Sequence, residues 1–74
     1  MTDPVNHPAH YTAGAVEAID VIEGAIADAP FPAGGYLQGQ VLKYVLRLWL
    51  KGNASQDAKK ARWYLDRLIA RLEP

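Results

Sequence analysis

The hydrophobic pattern of the chain is centred on segment 37–50, which reads LQGQVLKYVLRLWL. Its apolar residues recur at steps of three and four, which predicts an amphipathic helix; they are Leu37, Val41, Tyr44, Val45 and Leu48. Polar residues lie at the opposite phase; they are Gln40, Lys43, Arg47 and Lys51. We therefore expect a central helix over about 35–51 with one apolar side and one cationic side.

A first helix is predicted before this segment, over about 15–27, which reads AVEAIDVIEGAIA. Its apolar stripe consists of Val16, Ile19, Ile22 and Ile26, and the acidic residues beside the stripe are Glu17, Asp20 and Glu23. Segment 28–35, DAPFPAGG, is dense in proline and glycine, so it is expected to end this helix and form a turn.

A third helix is predicted over about 55–72. Gly52 and Asn53 indicate a left-handed stop after the central helix, and Ser55 is the expected N-cap of the next one. The predicted seam of this helix consists of Ala58, Ala61, Leu65, Leu68 and Leu72, widened by Ile69. Because the connection is short, the second and third helices should form an antiparallel hairpin.

The N-terminal segment 1–14, MTDPVNHPAHYTAG, differs from the rest of the chain. Pro4 and Pro8 forbid a continuous helix there and favour an extended arm. We expect one small all-α domain over 1–74, made of this arm and a helical core over 15–74.

Composition points to self-association. A chain of 74 residues buries only about 60% of its unfolded surface, and with no cysteine it cannot form a disulfide framework. Half of its residues are nevertheless hydrophobic, which favours a homo-oligomer. The sequence shows neither a secretory signal nor an apolar run of about 20 residues, so we expect a cytoplasmic protein without membrane contact.

Charge is divided between the two halves of the chain. The first 42 residues carry five acidic and no basic side chains, whereas all eight basic side chains and three acidic ones follow. This division indicates either attraction between the halves, within or between subunits, or an anion site on the basic half. Nucleic acid is an unexpected partner because the formal net charge is zero.

The arm carries side chains suited to ligand contacts. His10 and Tyr11 could stack on a flat ligand, with Asn6 and His7 beside them, or they could pack the arm onto the helices. Two histidines without cysteine supply too few ligands for a closed zinc site, so no metal cofactor is expected. Gly34, Gly35 and Gly39 do not have the spacing of a P-loop, and they favour turns or close helix packing instead.

Four segments also resemble a known family. They are NHPAHY (6–11), VEAIDVIE (16–23), GQVLKYVLRLWLKG (39–52) and DAKKARWYLDRLI (57–69). In order and spacing they resemble the segments of a small phage-associated domain that was long catalogued as of unknown function. A region related to this domain occurs in a lytic bacteriophage nucleotide kinase. The resemblance implies a phage protein, acting in the cytoplasm of the infected host, that handles nucleotides.

The leading hypothesis is therefore an oligomeric binder of mono- or cyclic nucleotides, with its pocket between subunits. It could sequester a nucleotide signal of host immunity. The expected contacts are Asn6, His7, His10, Tyr11, Lys43, Tyr44, Arg47, Lys59, Arg62 and Trp63. Whether the chain is an enzyme stays open. One alternative is a phosphotransferase without a P-loop, with magnesium held by Glu17, Asp20 or Glu23; another is a helical adaptor that inhibits a host protein.

Overall fold

The computed structural model describes residues 17–73, and the predicted arm over 1–14 lies outside the described residues. Three helices follow one another: α1 (Ala18–Ile26), α2 (Pro32–Leu46) and α3 (Ala54–Leu72). Residues 17–73 contain no strand, so the all-α prediction is confirmed. None of the helices in this part of the chain is long and apolar enough to cross a membrane.

The bounds of α2 differ from the prediction of about 35–51. It begins at Pro32, the first helical position, where a missing N–H costs nothing because that group has no partner within a helix. It ends at Leu46, after which residues 47–50 form turns, with the Leu50 N–H donating to the Arg47 carbonyl at 2.9 Å. Gly52 has φ +78°, as expected for a left-handed residue, but it lies beyond the end of the helix.

The N-cap of α3 is Asn53, so the prediction of Ser55 was wrong. The Asn53 side-chain oxygen accepts from the Gln56 N–H at 3.1 Å. Its amide nitrogen donates to the Gln56 side-chain oxygen at 3.0 Å. This reciprocal pair resembles a capping box, and it satisfies a backbone donor that the first turn of a helix leaves without an intrahelical partner.

Helix α2 packs against both α1 and α3. Two glycines of α2 lie at the contact with α1, where the sequence predicted turns or close helix packing. A Cβ added at Gly39 would make ordinary van der Waals contact with Ile22 Cγ2 at 3.4 Å, whereas one added at Gly35 would lie 3.2 Å from Ala29 Cβ in the turn after α1, which is tighter than side chains normally pack. The hairpin of α2 and α3 is thereby flanked by α1, and the molecule measures 45 × 29 × 17 Å.

The predicted seam of α3 was only partly right. The face toward α2 contains the buried residues Asp57 and Ala61, followed by the half-buried Tyr64 and Leu68. Four members of the predicted seam lie on the outside: Ala58 is exposed, and Leu65, Ile69 and Leu72 are 44%, 44% and 59% exposed. Helix α3 carries apolar residues at two phases, and only one of them packs within the chain.

Candidate functional site

Four aromatic side chains meet where α2 and α3 pack, and we call them the aromatic cluster: Tyr36, Tyr44, Trp63 and Tyr64. Tyr44 and Tyr64 are stacked across the two helices, with ring centroids 5.9 Å apart and planes 14° apart. Tyr64 also contacts Tyr36 and Trp63 edge to face, at centroid distances of 6.4 and 5.0 Å. Tyr64 is therefore the centre of the cluster, while Trp63 remains 59% exposed.

Cationic groups surround the ring of Tyr44. Lys43 Nζ lies 5.2 Å from its centroid, Lys60 Nζ 5.5 Å, and Arg47 Cζ 5.8 Å. A cation within about 6 Å of an aromatic face gains roughly 0.5–1 kcal/mol at an exposed site. Three positive charges, which repel one another, therefore lie around the Tyr44 ring.

Arg47 has a second partner in Asp57. Its Nε donates to Asp57 Oδ2 at 3.2 Å. The Asp57 side chain is almost completely buried, whereas about a third of the Arg47 side chain is exposed. Asp57 also lies in the first turn of α3, where the helix dipole favours a negative charge. The ion pair holds the Arg47 guanidinium through its Nε, while about a third of the side chain stays exposed.

Two open clefts adjoin these groups. The first, of about 290 Å³, is lined by Tyr44, Lys60, Trp63 and Tyr64. The second, of about 220 Å³, lies between α1 and the end of α2, and its lining is Ala18, Ile22, Lys43, Leu46, Arg47, Leu50 and Lys51. Because Lys43 and Arg47 line the second cleft and also flank Tyr44, they connect the aromatic and cationic parts of the surface.

The phenol of Tyr64 is held in its neutral form. Burial raises its pKa above the ordinary value of 10.0, with further increases from the neighbouring phenols of Tyr36 and Tyr44. A phenol is neutral at neutral pH even at its ordinary pKa, so the raised pKa of Tyr64 only extends the alkaline range in which the cluster carries no negative charge.

The structure brings together four of the residues predicted to bind a nucleotide: Lys43, Tyr44, Arg47 and Trp63. The other two cations of that set, Lys59 and Arg62, line a separate cleft together with Ser55 and Ala58. The remaining predicted contacts lie outside the described residues; they are Asn6, His7, His10 and Tyr11.

Sequence reasoning missed part of this surface. Lys60, Tyr64 and Arg67 are absent from the predicted contacts, yet Lys60 and Tyr64 meet Tyr44, and the Arg67 guanidinium carbon lies 5.8 Å from the centroid of the Trp63 ring. A usable signal was present, because residues 60, 64 and 67 share one face of a helix and Tyr36 and Tyr44 share one face of α2.

The carboxylates considered for magnesium differ in their burial. Glu17 precedes α1 and is buried, and its Oε1 has no hydrogen-bond partner among the described residues. Asp20 and Glu23 are exposed on α1. Within residues 17–73, no three side chains of His, Cys, Asp or Glu lie close enough to hold a metal ion.

Comparison with known proteins gives a family but no activity. No curated protein and no solved structure shows a significant match to the chain. The family described as protein of unknown function, DUF3310, matches residues 5–66, which include most of the predicted arm, all of α1 and α2, and much of α3. Because this match covers far more than half of the sequence, the chain belongs to the DUF3310 family.

Proposed function

We propose that the protein binds nucleotides on the surface formed by the aromatic cluster and its flanking cations. The observation that carries the proposal is the placement of Lys43, Arg47 and Lys60 within 5.2–5.8 Å of the centroid of one tyrosine ring. A phosphate needs fixed positive charge, and a base needs an apolar ring face beside it. Both are present on one surface.

Trp63 is the proposed platform for the base. Tyr44 already stacks on Tyr64, whereas Trp63 is 59% exposed and lines the cleft that also contains Lys60. Stacking of a base on an aromatic side chain is worth about 1–3 kcal/mol. A base on Trp63 would direct its phosphates toward the cations around Tyr44.

Arg47 and Lys43 are the proposed phosphate contacts at the far end. Arg47 keeps guanidinium N–H groups beyond the one that Asp57 accepts, and such groups suit bidentate contacts to phosphate oxygens. The two clefts, of about 290 and 220 Å³, are small compared with typical ligand pockets of roughly 300–1,000 Å³. This size favours a mononucleotide or a cyclic nucleotide over a longer polymer.

The proposed biological setting rests on the sequence resemblance. A phage-associated domain related to part of a nucleotide kinase would act on the nucleotide pool of the infected host, or sequester a cyclic nucleotide signal of host immunity. The sequence predicted a pocket between subunits. In the proposed site, Tyr44, Lys60 and Trp63 all come from one chain, so these contacts need no second subunit. The arm residues Asn6, His7, His10 and Tyr11 stay predicted contacts that could close over this surface.

The test compares two neighbouring lysines. Lys60 flanks Tyr44, whereas Lys59 lines a different cleft, so the variants Lys60→Ala and Lys59→Ala remove the same charge from two faces of one helix. Calorimetric titration with a panel of nucleoside mono-, di-, tri- and cyclic phosphates should show binding weakened about tenfold by Lys60→Ala. Lys59→Ala should stay within about twofold of the native protein, an effect of well under 1 kcal/mol.

The same titration separates the competing functions. No binding by any member of the panel, or equal losses for the two lysine variants, would refute the proposed site. Formation of diphosphate from a monophosphate in the presence of magnesium would favour the phosphotransferase. Tighter binding of single-stranded DNA than of any mononucleotide would identify a nucleic-acid binder that uses the same rings and cations.

A further inference from the structure

The outer face of α3 carries an apolar stripe that no other part of the described chain covers. We call it the α3 outer stripe: Ala58, Arg62, Leu65, Ile69 and Leu72. All five residues are exposed. Their spacing alternates between four and three residues, which is the spacing of the a and d positions in a helix that pairs with another helix.

The residue types on the stripe fit pairing with another helix. In a heptad frame, Leu65 and Leu72 occupy d positions and Ile69 occupies an a position. Leucine and isoleucine at these positions are the apolar side chains that pack against a facing helix. Arg62 occupies the preceding a position, where a polar residue limits the choice of partner and register at some cost in stability.

The charges beside the stripe distinguish between the two possible orientations. Lys59 and Arg62 lie in the first half of α3, and Asp66 and Glu73 lie toward its end. A parallel pair would place Arg62 beside Arg62 of the second copy, because residues at a positions face their own counterparts. An antiparallel pair separates the two arginines and brings Lys59 of each helix toward Glu73 of the other, so it is favoured by these charges. Arg67 and Arg71 of the second half lie away from the stripe.

Residues 17–73 provide little interior. Among residues 17–73, the buried apolar side chains are Leu37 and Ala61, and the molecule is only 17 Å thick along its shortest axis. Burial of apolar area stabilises folds by about 25 cal/mol per Å², so a chain with this little interior gains substantially from a second layer. Within the α3 outer stripe, Leu65, Ile69 and Leu72 form an exposed apolar row of heptad spacing.

We propose that a second copy of the chain covers the α3 outer stripe, with the two α3 helices antiparallel around a two-fold axis. The axis passes near Asp66, midway between Lys59 and Glu73, so each Lys59 approaches Glu73 of the second copy. The two Asp66 side chains then approach each other, and their repulsion opposes dimerisation less than the two Lys59–Glu73 attractions favour it. This inference does not depend on nucleotide binding, and it leaves Lys60, Tyr64 and Arg67 accessible because they lie at another phase of α3.

The mass of the protein in solution tests the pairing. Analytical ultracentrifugation at micromolar concentration should give about twice the chain mass of 8.1 kDa. Ile69→Glu places a charge on the stripe and should give a monomer, whereas Ala70→Glu places the same charge one residue away and should leave the dimer intact. A native monomer would overturn the proposal and indicate that another occupant, such as residues 1–16 of the same chain, covers the stripe.

Introduced cysteines test the orientation without disrupting the stripe. The sequence contains no cysteine, so any disulfide must form between the introduced residues. Under mild oxidation Asp66→Cys should form a covalent dimer, because the residue lies at the axis and its replacement also removes a repulsion. Ala58→Cys should not, since an antiparallel pair separates the two positions by roughly 20–30 Å along the helices. Efficient cross-linking of Ala58→Cys, or none of Asp66→Cys, would overturn the antiparallel arrangement.

Discussion

Arg47 shows how one residue can serve both stability and binding. Sequence periodicity placed it on the cationic side of the central helix, and it was expected to contact a ligand only. In the structure its Nε donates to Asp57, a carboxylate that is 3% exposed, while its guanidinium carbon lies 5.8 Å from the Tyr44 centroid. The same side chain neutralises a buried acid and adds to the positive charge of the proposed site.

We expect Arg47→Ala to destabilise the fold as well as weaken ligand binding. The change leaves Asp57 buried without its charged partner, and an unsatisfied buried polar group costs about 1–3 kcal/mol. Urea denaturation followed by far-UV circular dichroism would measure the loss. Asp57 lies in the first turn of α3, so we expect the lost stability to lower the urea midpoint of the whole unfolding transition.

The double variant Arg47→Ala/Asp57→Ala provides the control. If the pair causes the effect, removing both partners should cost less than the sum of the two single changes. Strictly additive losses would show that the two side chains stabilise the fold independently of each other. Lys43→Ala removes a neighbouring cation that has no ion pair with Asp57 in the structure, so it should cost no more than its contact with the Tyr44 ring, about 0.5–1 kcal/mol.

At the scale of elements, the start of α3 is determined by Asn53. We expect Asn53→Ala to cost about 0.5–2 kcal/mol because it removes the bond to the Gln56 N–H. Ser55→Ala, at the position that the sequence favoured as the cap, should change the free energy of unfolding very little. Thermal unfolding of the two variants side by side would compare them, and a larger loss for Ser55→Ala would contradict the observed cap.

The sequence predicted the number and order of the helices because each carries its own periodicity and its own stop signals. It placed the start of α2 too late because Pro30, Pro32, Gly34 and Gly35 are typical of turns. The structure uses Pro32 as the first helical residue, and it seats Gly34 against the Phe31 ring, where an added Cβ would come within 2.8 Å. This contact depends on how the Phe31 side chain folds back over the first turn of α2, which composition does not reveal.

Periodicity alone could not show which face of α3 packs against α2. Leu65, Ile69 and Leu72 form the more hydrophobic row, but Tyr44 on α2 stacks with Tyr64 and thereby turns a different row inward. The same rotation brings Lys60 to the ring of Tyr44 and directs Lys59 and Arg62 elsewhere. The sequence therefore predicted the site residues Lys43 and Tyr44 on α2 and Arg47 at its end. Of the site residues on α3, it predicted only Trp63.

At the scale of the whole molecule, the two faces of α3 have different partners. One face packs on α2 and forms the aromatic cluster; the other is the α3 outer stripe, for which we propose a second copy of the chain. A protein this thin would then acquire its second layer by association. Nucleotide binding and self-association would use opposite sides of one helix, so changes on either side should separate the two properties.

Coupling of folding to association predicts that thermal stability depends on protein concentration. If only the folded chain pairs with its copy, mass action favours the native state as concentration rises. A tenfold increase contributes about 1.4 kcal/mol per dimer, or roughly half of that per chain, which for a domain of this size raises the unfolding midpoint by roughly 3–6 °C. Calorimetry over a hundredfold range of concentration would measure the slope. Ala70→Glu should keep the slope and Ile69→Glu should abolish it, whereas a midpoint independent of concentration in the native protein would mean that the fold is stable as a single chain.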